Sequence, residues 1–231
     1  MKSNLVFGAL FGLGWVSLSW PAQAQMNPTG SAYTAEASRH DFRRWLLHVD
    51  VANVFTNESA DVAVGGAPVR GGSVSMADNP TATFDVSYFF TPNFAVNVYS
   101  GYTPRAHIKG AGSLASFGTL ASANYGPLTV SGEYHFLGLG AFKPYVGIGV
   151  TYAIFLNVDD AALQNVNIDN AFGPAFKIGV DYDIAERWTV HSYVQQILLS
   201  TDVSAMASGI PVSARVKINP TIVGVGIGYR F

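Results

Sequence analysis

The sequence predicts an all-β fold: an eight-stranded antiparallel up-and-down transmembrane β-barrel, with short periplasmic turns and long extracellular loops. Three observations lead there. Apolar residues recur at every second position over eight stretches of roughly 10–14 residues, the length a tilted membrane strand needs. The connections between these stretches alternate between short and long. Charged residues make up only 12% of the chain while hydrophobic ones make up 49%. A water-exposed surface carries about twice that share of charge, so part of the exterior is expected to face something other than water.

The first stretch, about 43–56, sets Trp45, Leu47, Val49, Val51 and Phe55 on one face. The second, about 81–91, sets Phe84, Val86, Tyr88 and Phe90 against Asp85 and Ser87, and the tight turn Thr91-Pro92-Asn93 follows. The third, about 93–104, opposes Phe94, Val96 and Val98 to Asn97 and Tyr99. The fourth, about 124–137, opposes Leu128, Val130, Tyr134 and Phe136 to Thr129, Ser131, Glu133 and His135. The fifth, about 142–156, alternates Val146, Ile148, Val150, Tyr152 and Ile154 with Gly147, Gly149 and Thr151. The sixth, about 171–184, sets Phe172, Phe176, Ile178, Val180 and Tyr182 against Lys177 and Asp181. The seventh, about 187–201, opposes Trp188, Val190 and Val194 to His191, Tyr193 and Gln195. The eighth holds "TIVGVGIGYRF", residues 221–231, with glycine at 224, 226 and 228. An eight-stranded barrel is narrow enough to be filled by side chains. Glycines on the inner face of the last strand would leave room for larger residues from other strands. "VDDAALQNVNI", in the third long loop, could form a short helix.

Composition excludes several classes. The net charge of −2, with no basic run, argues against nucleic acid as a partner. Without cysteine there is no disulfide framework and no thiolate metal site. The five histidines are scattered and none has helical zinc spacing, so neither a metal nor another cofactor is expected. No stretch after the start is long and apolar enough for a membrane helix. The start reads as a secretory signal: Lys2, then the apolar "LVFGALFGLGWVSLSW", then Ala22-Gln23-Ala24 as the cleavage site. The expected division is a signal peptide over 1–24, a flexible lead-in over 25–41 and a transmembrane barrel over 42–231. A soluble barrel would put its apolar face inward and line its outside with charge; here the face opposite the apolar one is mostly Gly, Thr and Ser. The aromatics also gather at strand ends, as interfacial girdles do.

"KPYVGIGVTYAIF" (143–155), "AFGPAFKIGVDYDIAERWTV" (171–190) and "KINPTIVGVGIGYRF" (217–231) together resemble the OmpW family of small outer-membrane barrels, and "TPNFAVNVYSGYTPRAHI" (91–108) is a looser match. The resemblance implies an outer-membrane location and contact with membrane lipid. It implies that Phe231 is the signal read by the barrel-assembly machinery, and that small hydrophobic solutes leave sideways into the bilayer. Residues 57–80 and 104–122 carry no such match, and their small, polar composition shows no binding patch.

Strand direction orders the inward residues by height. Near the short turns lie His48, Asp50, Asn97, Glu133, His135, Asp181, His191 and Arg230, with Asp85 and Lys177 somewhat higher. Buried charges persist only when paired. This set therefore reads either as a structural plug or as an ion path. Near the long loops the inward set becomes apolar: Val54, Phe89, Tyr99, Ala153, Phe155, Ile197, Leu199, Ile218 and Ile222. That is an upper chamber, either packed against folded-in loops or open to an apolar ligand. Pro127, Pro174 and Pro220 fall within upper strand segments. Each marks a bulge, or together they form a lateral gap, since proline removes a ladder donor. Enzymatic activity is not expected: His191 and Ser192 are adjacent and so point to opposite faces, and Glu133 and His135 have no nucleophile beside them. An adhesive or receptor barrel with a filled lumen is the alternative. Arg215 and Lys217 would point outward near the rim, within reach of lipopolysaccharide phosphates.

Overall fold

The computed structural model describes residues 43–77, 79–102 and 105–231; the expected signal peptide and lead-in lie outside the described residues. Fifteen strands follow in order: β1 (Trp45–Phe55), β2 (Ser59–Val64), β3 (Ala67–Pro68), β4 (Gly72–Ser75), β5 (Asn79–Phe89), β6 (Phe94–Tyr102), β7 (Ala106–Gly112), β8 (Thr119–His135), β9 (Phe142–Asp160), β10 (Gln164–Ile168), β11 (Ala171–Asp183), β12 (Trp188–Ile197), β13 (Ser200–Ala207), β14 (Ile210–Lys217) and β15 (Thr221–Arg230). Eight of them close a barrel in the order β8-β6-β5-β1-β15-β12-β11-β9, with β9 pairing back onto β8. Each of these eight overlaps one of the eight alternating stretches of the sequence. Every neighbouring pair is antiparallel.

The period-two pattern decides which way each side chain points. Along β1, Val49 and Val51 are exposed at 54% and 67% while Asp50 between them is 2% exposed. Apolar side chains stand outward against acyl chains, and polar ones stand in the lumen. At the periplasmic end a belt of edge-to-face rings runs along the wall: Trp45–Tyr88–Phe90, Phe94–Tyr134–Phe136 and Trp188–Tyr229–Phe231, with neighbouring centroids 4.8–5.1 Å apart. Directly paired or diagonal aromatics of this kind favour a sheet over its alternatives.

The long connections are not loops. They continue the barrel outward as two sheets. One is formed by β4 and β7 against the upper part of β8; the other runs β10-β13-β14-β2-β3. Here the polarity inverts. Val62, Val74, Ala205 and Val216 are buried inside, while Asp61, Asp202, Arg215 and Lys217 face out. The reason is the solvent: above the bilayer the outside is water, so apolar residues turn inward.

Two carboxylates bridge neighbouring segments of the two sheets. Glu58 Oε1 accepts the Met76 N–H at 2.9 Å. Asp160 accepts the N–H groups of Asn165 and Val166 at 2.8 and 2.9 Å. The second bridge explains why 158–168 is not the helix that was expected. Asp160 ties down a tight turn, Asn165 takes a left-handed φ of 52°, and the chain returns as β10 with Ile168 buried.

Candidate functional site: an amphiphilic lumen

The lumen is built on a glycine stripe. A side-chain carbon at Gly224 would strike the Tyr193 ring, one at Gly226 the Val49 carbonyl and Asp50, and one at Gly228 both Thr189 and His48. The inner face of β15 is bare so that Tyr193, Asp50 and His48 can reach across a narrow barrel.

What they reach is a cluster assembled from seven strands. His48 Nδ1 lies 3.0 Å from Asp85 Oδ1, and its Nε2 lies 3.1 Å from Asp181 Oδ1. The ring of His191 stacks on that of His48 at 3.8 Å; its Nδ1 is 2.8 Å from Asp50 and its Nε2 is 2.8 Å from the Tyr145 hydroxyl. Lys177 donates to Glu133 and to Asn97 Oδ1, both at 3.2 Å, and lies 3.8 Å from Asp85. Asn97 donates to Asp85 and to Ser87, which donates on to Glu133. His135 joins through Glu133 at 3.4 Å. All of these groups are buried. The polar floor expected near the short turns is therefore one interlocked cluster. Three of the five histidines, His48, His135 and His191, do come together, with His48, Asp85 and His191 within reach of one another. Their ring nitrogens already face carboxylates or the Tyr145 phenol, which is the mutual pairing a buried set of charges requires.

Two expected members stand elsewhere. Arg230 sits outside the ion-pair cluster, its guanidinium 4.9 Å above the Phe89 ring at the periplasmic mouth. Phe89 is itself a correction: it does not belong to an upper chamber. β5 descends towards a short turn, Phe89 is its last residue, and its ring lies 4.8 Å from that of His135, packed with Leu46 and Ala95.

Above the floor the lining changes character. Lys177 points its ammonium at the rings of Tyr99 and Tyr193, 5.3 and 5.5 Å away. Thr83, Tyr193 and Tyr99 link their hydroxyls there at 2.9 and 3.2 Å. Over them lies a lower cavity of about 20 Å³, walled by Val54, Ile197, Leu199 and Ile222 together with Tyr125, Pro127 and Gly101. Higher still, between the two extracellular sheets, is a chamber of about 190 Å³ lined by Val62, Val74, Met76, Ile108, Leu120, Phe155, Val203, Val216 and Ile218. Phe155 thus lines the higher space. Its ring is 6.1 Å from that of Tyr125, directly across the β8–β9 ladder, so this pair stands where one cavity gives way to the other.

Most of the higher chamber comes from the long connections, whose small, polar composition shows no binding patch in the sequence. The signal was present but short. Ala60, Val62 and Val64 alternate in β2, Val74 and Met76 flank Ser75, and Val212, Ala214 and Val216 alternate in β14. None of these runs spans a membrane, and small residues dilute the pattern.

The three prolines behave differently. Pro174 and Pro220 sit in a continuous wall: the Leu198 N–H donates to the Pro174 carbonyl at 2.9 Å, and the Ile197 N–H donates to the Pro220 carbonyl at 3.0 Å. The reading of all three as gap formers therefore fails for these two, because a proline's carbonyl still serves the ladder. Pro127 differs. The β6–β8 ladder ends at Ser100–Leu128. Among the described residues no ladder pair joins Gly101 and Tyr102 to Asn124–Pro127. One side-chain bond substitutes, from Ser100 Oγ to the Pro127 carbonyl at 2.9 Å. Gly101 and Pro127, on opposite sides of this break, both line the lower cavity.

Known proteins share this architecture. The outer membrane protein AlkL of Ectopseudomonas oleovorans is 32% identical over 200 residues, covering 86% of this chain and 87% of AlkL. The solid-state NMR structure of AlkL in DMPC bilayers superposes with a TM-score of 0.69 at 32% identity, covering 88% of this chain and 97% of that one. The crystal structure of OprG from Pseudomonas aeruginosa superposes with a TM-score of 0.76 at 23% identity, covering 81% and 95%. The OmpW family model matches residues 44–231. With that match spanning the whole barrel, the chain belongs to the OmpW family of outer-membrane proteins.

Proposed function

We propose that the barrel is a passive channel for small hydrophobic molecules. A solute enters the extracellular chamber, passes the Tyr125–Phe155 pair and leaves sideways through the β6–β8 break into the bilayer. The carrying observation is that apolar lining runs from the upper chamber to the break and stops on a sealed ionic floor. Crossing that floor would separate buried charges at a cost of several kcal/mol each, whereas the side-chain hydrogen bond from Ser100 to the Pro127 carbonyl at the break is worth about 1 kcal/mol. The floor itself reads as a plug and not as an ion path, for the same energetic reason. The likeness to AlkL supports the reading.

We read the chain as a non-enzyme. Asp50, His191 and Tyr145 form a relay-like row, yet all three are buried within the plug and none lines the lower cavity or the chamber above it. Phe231 would carry the assembly signal, Arg215 and Lys217 would meet lipopolysaccharide, and the mature chain would begin at Gln25. The test is Leu199→Asp, which buries a carboxylate in the wall of the lower cavity. Uptake of a small apolar solute by cells should fall at least about tenfold, because an unpaired buried charge costs more than the 1.4 kcal/mol that a factor of ten represents. Unchanged uptake at equal barrel abundance would defeat the proposal.

A further inference from the structure

The extracellular sheet above the β6–β8 break carries a column of basic side chains on its outer face. In β7 the buried Ala106 and the chamber-lining Ile108 point inward. Strand alternation therefore turns Arg105, His107 and Lys109 outward. Arg105 is ion-paired with Asp159. Among the described residues Lys109 meets no carboxylate within ion-pair distance. Its direct ladder neighbours bear hydroxyls instead, Ser75 on β4 and Thr119 on β8, and cross-strand partners share a face. Ser122 steadies the exposed His107, with Oγ 2.8 Å from Nδ1, which leaves Nε2 on the far side of the ring. The other extracellular sheet is charged differently. It gathers Asp61, Asp169 and Asp202 around Arg215, and Asp202 grips that guanidinium at 2.8 and 3.0 Å. An anion is repelled there and attracted on β7.

Height above the bilayer identifies the anion. Ser122, level with His107, stands fourteen positions up the chain from Phe136 in the periplasmic aromatic belt. At a rise of about 3.3 Å per residue and a tilt of about 45°, that is a climb of roughly 33 Å. The apolar band of such a barrel is about 25 Å tall. His107 therefore stands roughly 8 Å above the hydrocarbon, at the outer edge of a headgroup layer about 5–8 Å deep. In the outer leaflet that layer holds the phosphates of lipopolysaccharide.

We propose that the outer face of β7 is a docking site for a lipid A phosphate of lipopolysaccharide. Lys109 supplies the charge, and Ser75, Thr119 and His107 supply hydrogen-bond donors around it. The acyl chains of the held lipid descend past Tyr102 and Leu128, which are exposed on the outer side of the β6–β8 break. One defined lipid then borders the break in place of bulk bilayer. The site rests on the outer-membrane placement of the barrel and not on the transport reading, and it moves the main lipopolysaccharide contact from Arg215 and Lys217 to β7.

The experiment titrates bisphosphorylated lipid A into phosphatidylcholine nanodiscs that hold the barrel, and follows the Ser122 amide and the His107 ring by NMR. Both signals should move and saturate, and added salt should weaken the binding because the face is exposed. Lys109→Ala should weaken it about fivefold, the factor one cation supplies at an anionic lipid surface, and Lys109→Arg should restore it. Lys217→Ala should change it less than about twofold. Lipid A stripped of its phosphates, and inorganic phosphate at the same concentration, should leave both signals in place. Equal shifts with phosphate-free lipid A, equal shifts with inorganic phosphate, or full affinity in Lys109→Ala would each overturn the site. A larger loss in Lys217→Ala than in Lys109→Ala would overturn it in favour of the opposite sheet. None of these results bears on uptake through the lumen, so the transport reading is judged separately by Leu199→Asp.

Discussion

Replacing Lys177 by methionine would strand two carboxylates in the barrel interior. The ammonium is 4% exposed and lies 3.2 Å from Glu133 and 3.8 Å from Asp85. At an effective dielectric of about 20 those separations correspond to roughly 5 and 4 kcal/mol of attraction. Withdrawing the ammonium from water returns several kcal/mol of that. Methionine fills a similar volume without charge, so the loss falls on the electrostatics. Breaking one partner of a buried ionic set costs about 3–5 kcal/mol, and Lys177→Met should sit in that range. Glu133→Gln in the same chain removes one stranded charge and should restore about 1–3 kcal/mol, a coupling of the size found for residues in one network. The assay is reversible urea unfolding in detergent or lipid, followed by Trp45 and Trp188 emission at the periplasmic rim. A destabilisation below about 1 kcal/mol would mean that water screens the floor. The reason given for a sideways exit would then disappear.

Other outcomes follow from the same geometry. Gly226→Ala places a carbon against the Val49 carbonyl and the Asp50 backbone, which cannot move aside; urea unfolding should show a loss of about 1–3 kcal/mol, and a neutral result would contradict the bare-face account of β15. Outside the membrane, the hydrogen bond from Arg215 holds the Asp202 carboxyl below the usual carboxylate range. A lowered value stabilises the folded form above the ordinary carboxylate range and ceases to do so as pH falls through it. Arg215→Ala should move the Asp202 titration upward, read from its carboxyl carbon shift, and an unmoved titration would refute the pairing.

How much of this was legible in the chain differs by region. The eight membrane strands were readable because each must present a predominantly apolar row to lipid, as Val223, Val225 and Ile227 do. Polar floor residues such as His48, Glu133 and Lys177 were readable as the intervening inward positions. Their partners were not. Asp50 meets His191 across 141 positions of sequence, and only closure of β1 onto β15 and β15 onto β12 sets that meeting. Phe89 was misplaced because its height depends on where β5 turns back, while the extracellular strands were missed because rows of two or three apolar residues carry too little pattern to stand out.

The linear order of residues determined the barrel, its strand number and which face of each strand meets lipid, since a period of two against a membrane admits one solution. Tertiary structure alone decided three things: the pairing within the floor, the chamber above the bilayer and, among the described residues, the end of the β6–β8 ladder beside Pro127. Each of these depends on register between strands far apart in the chain, and register is set by closure, not by local composition.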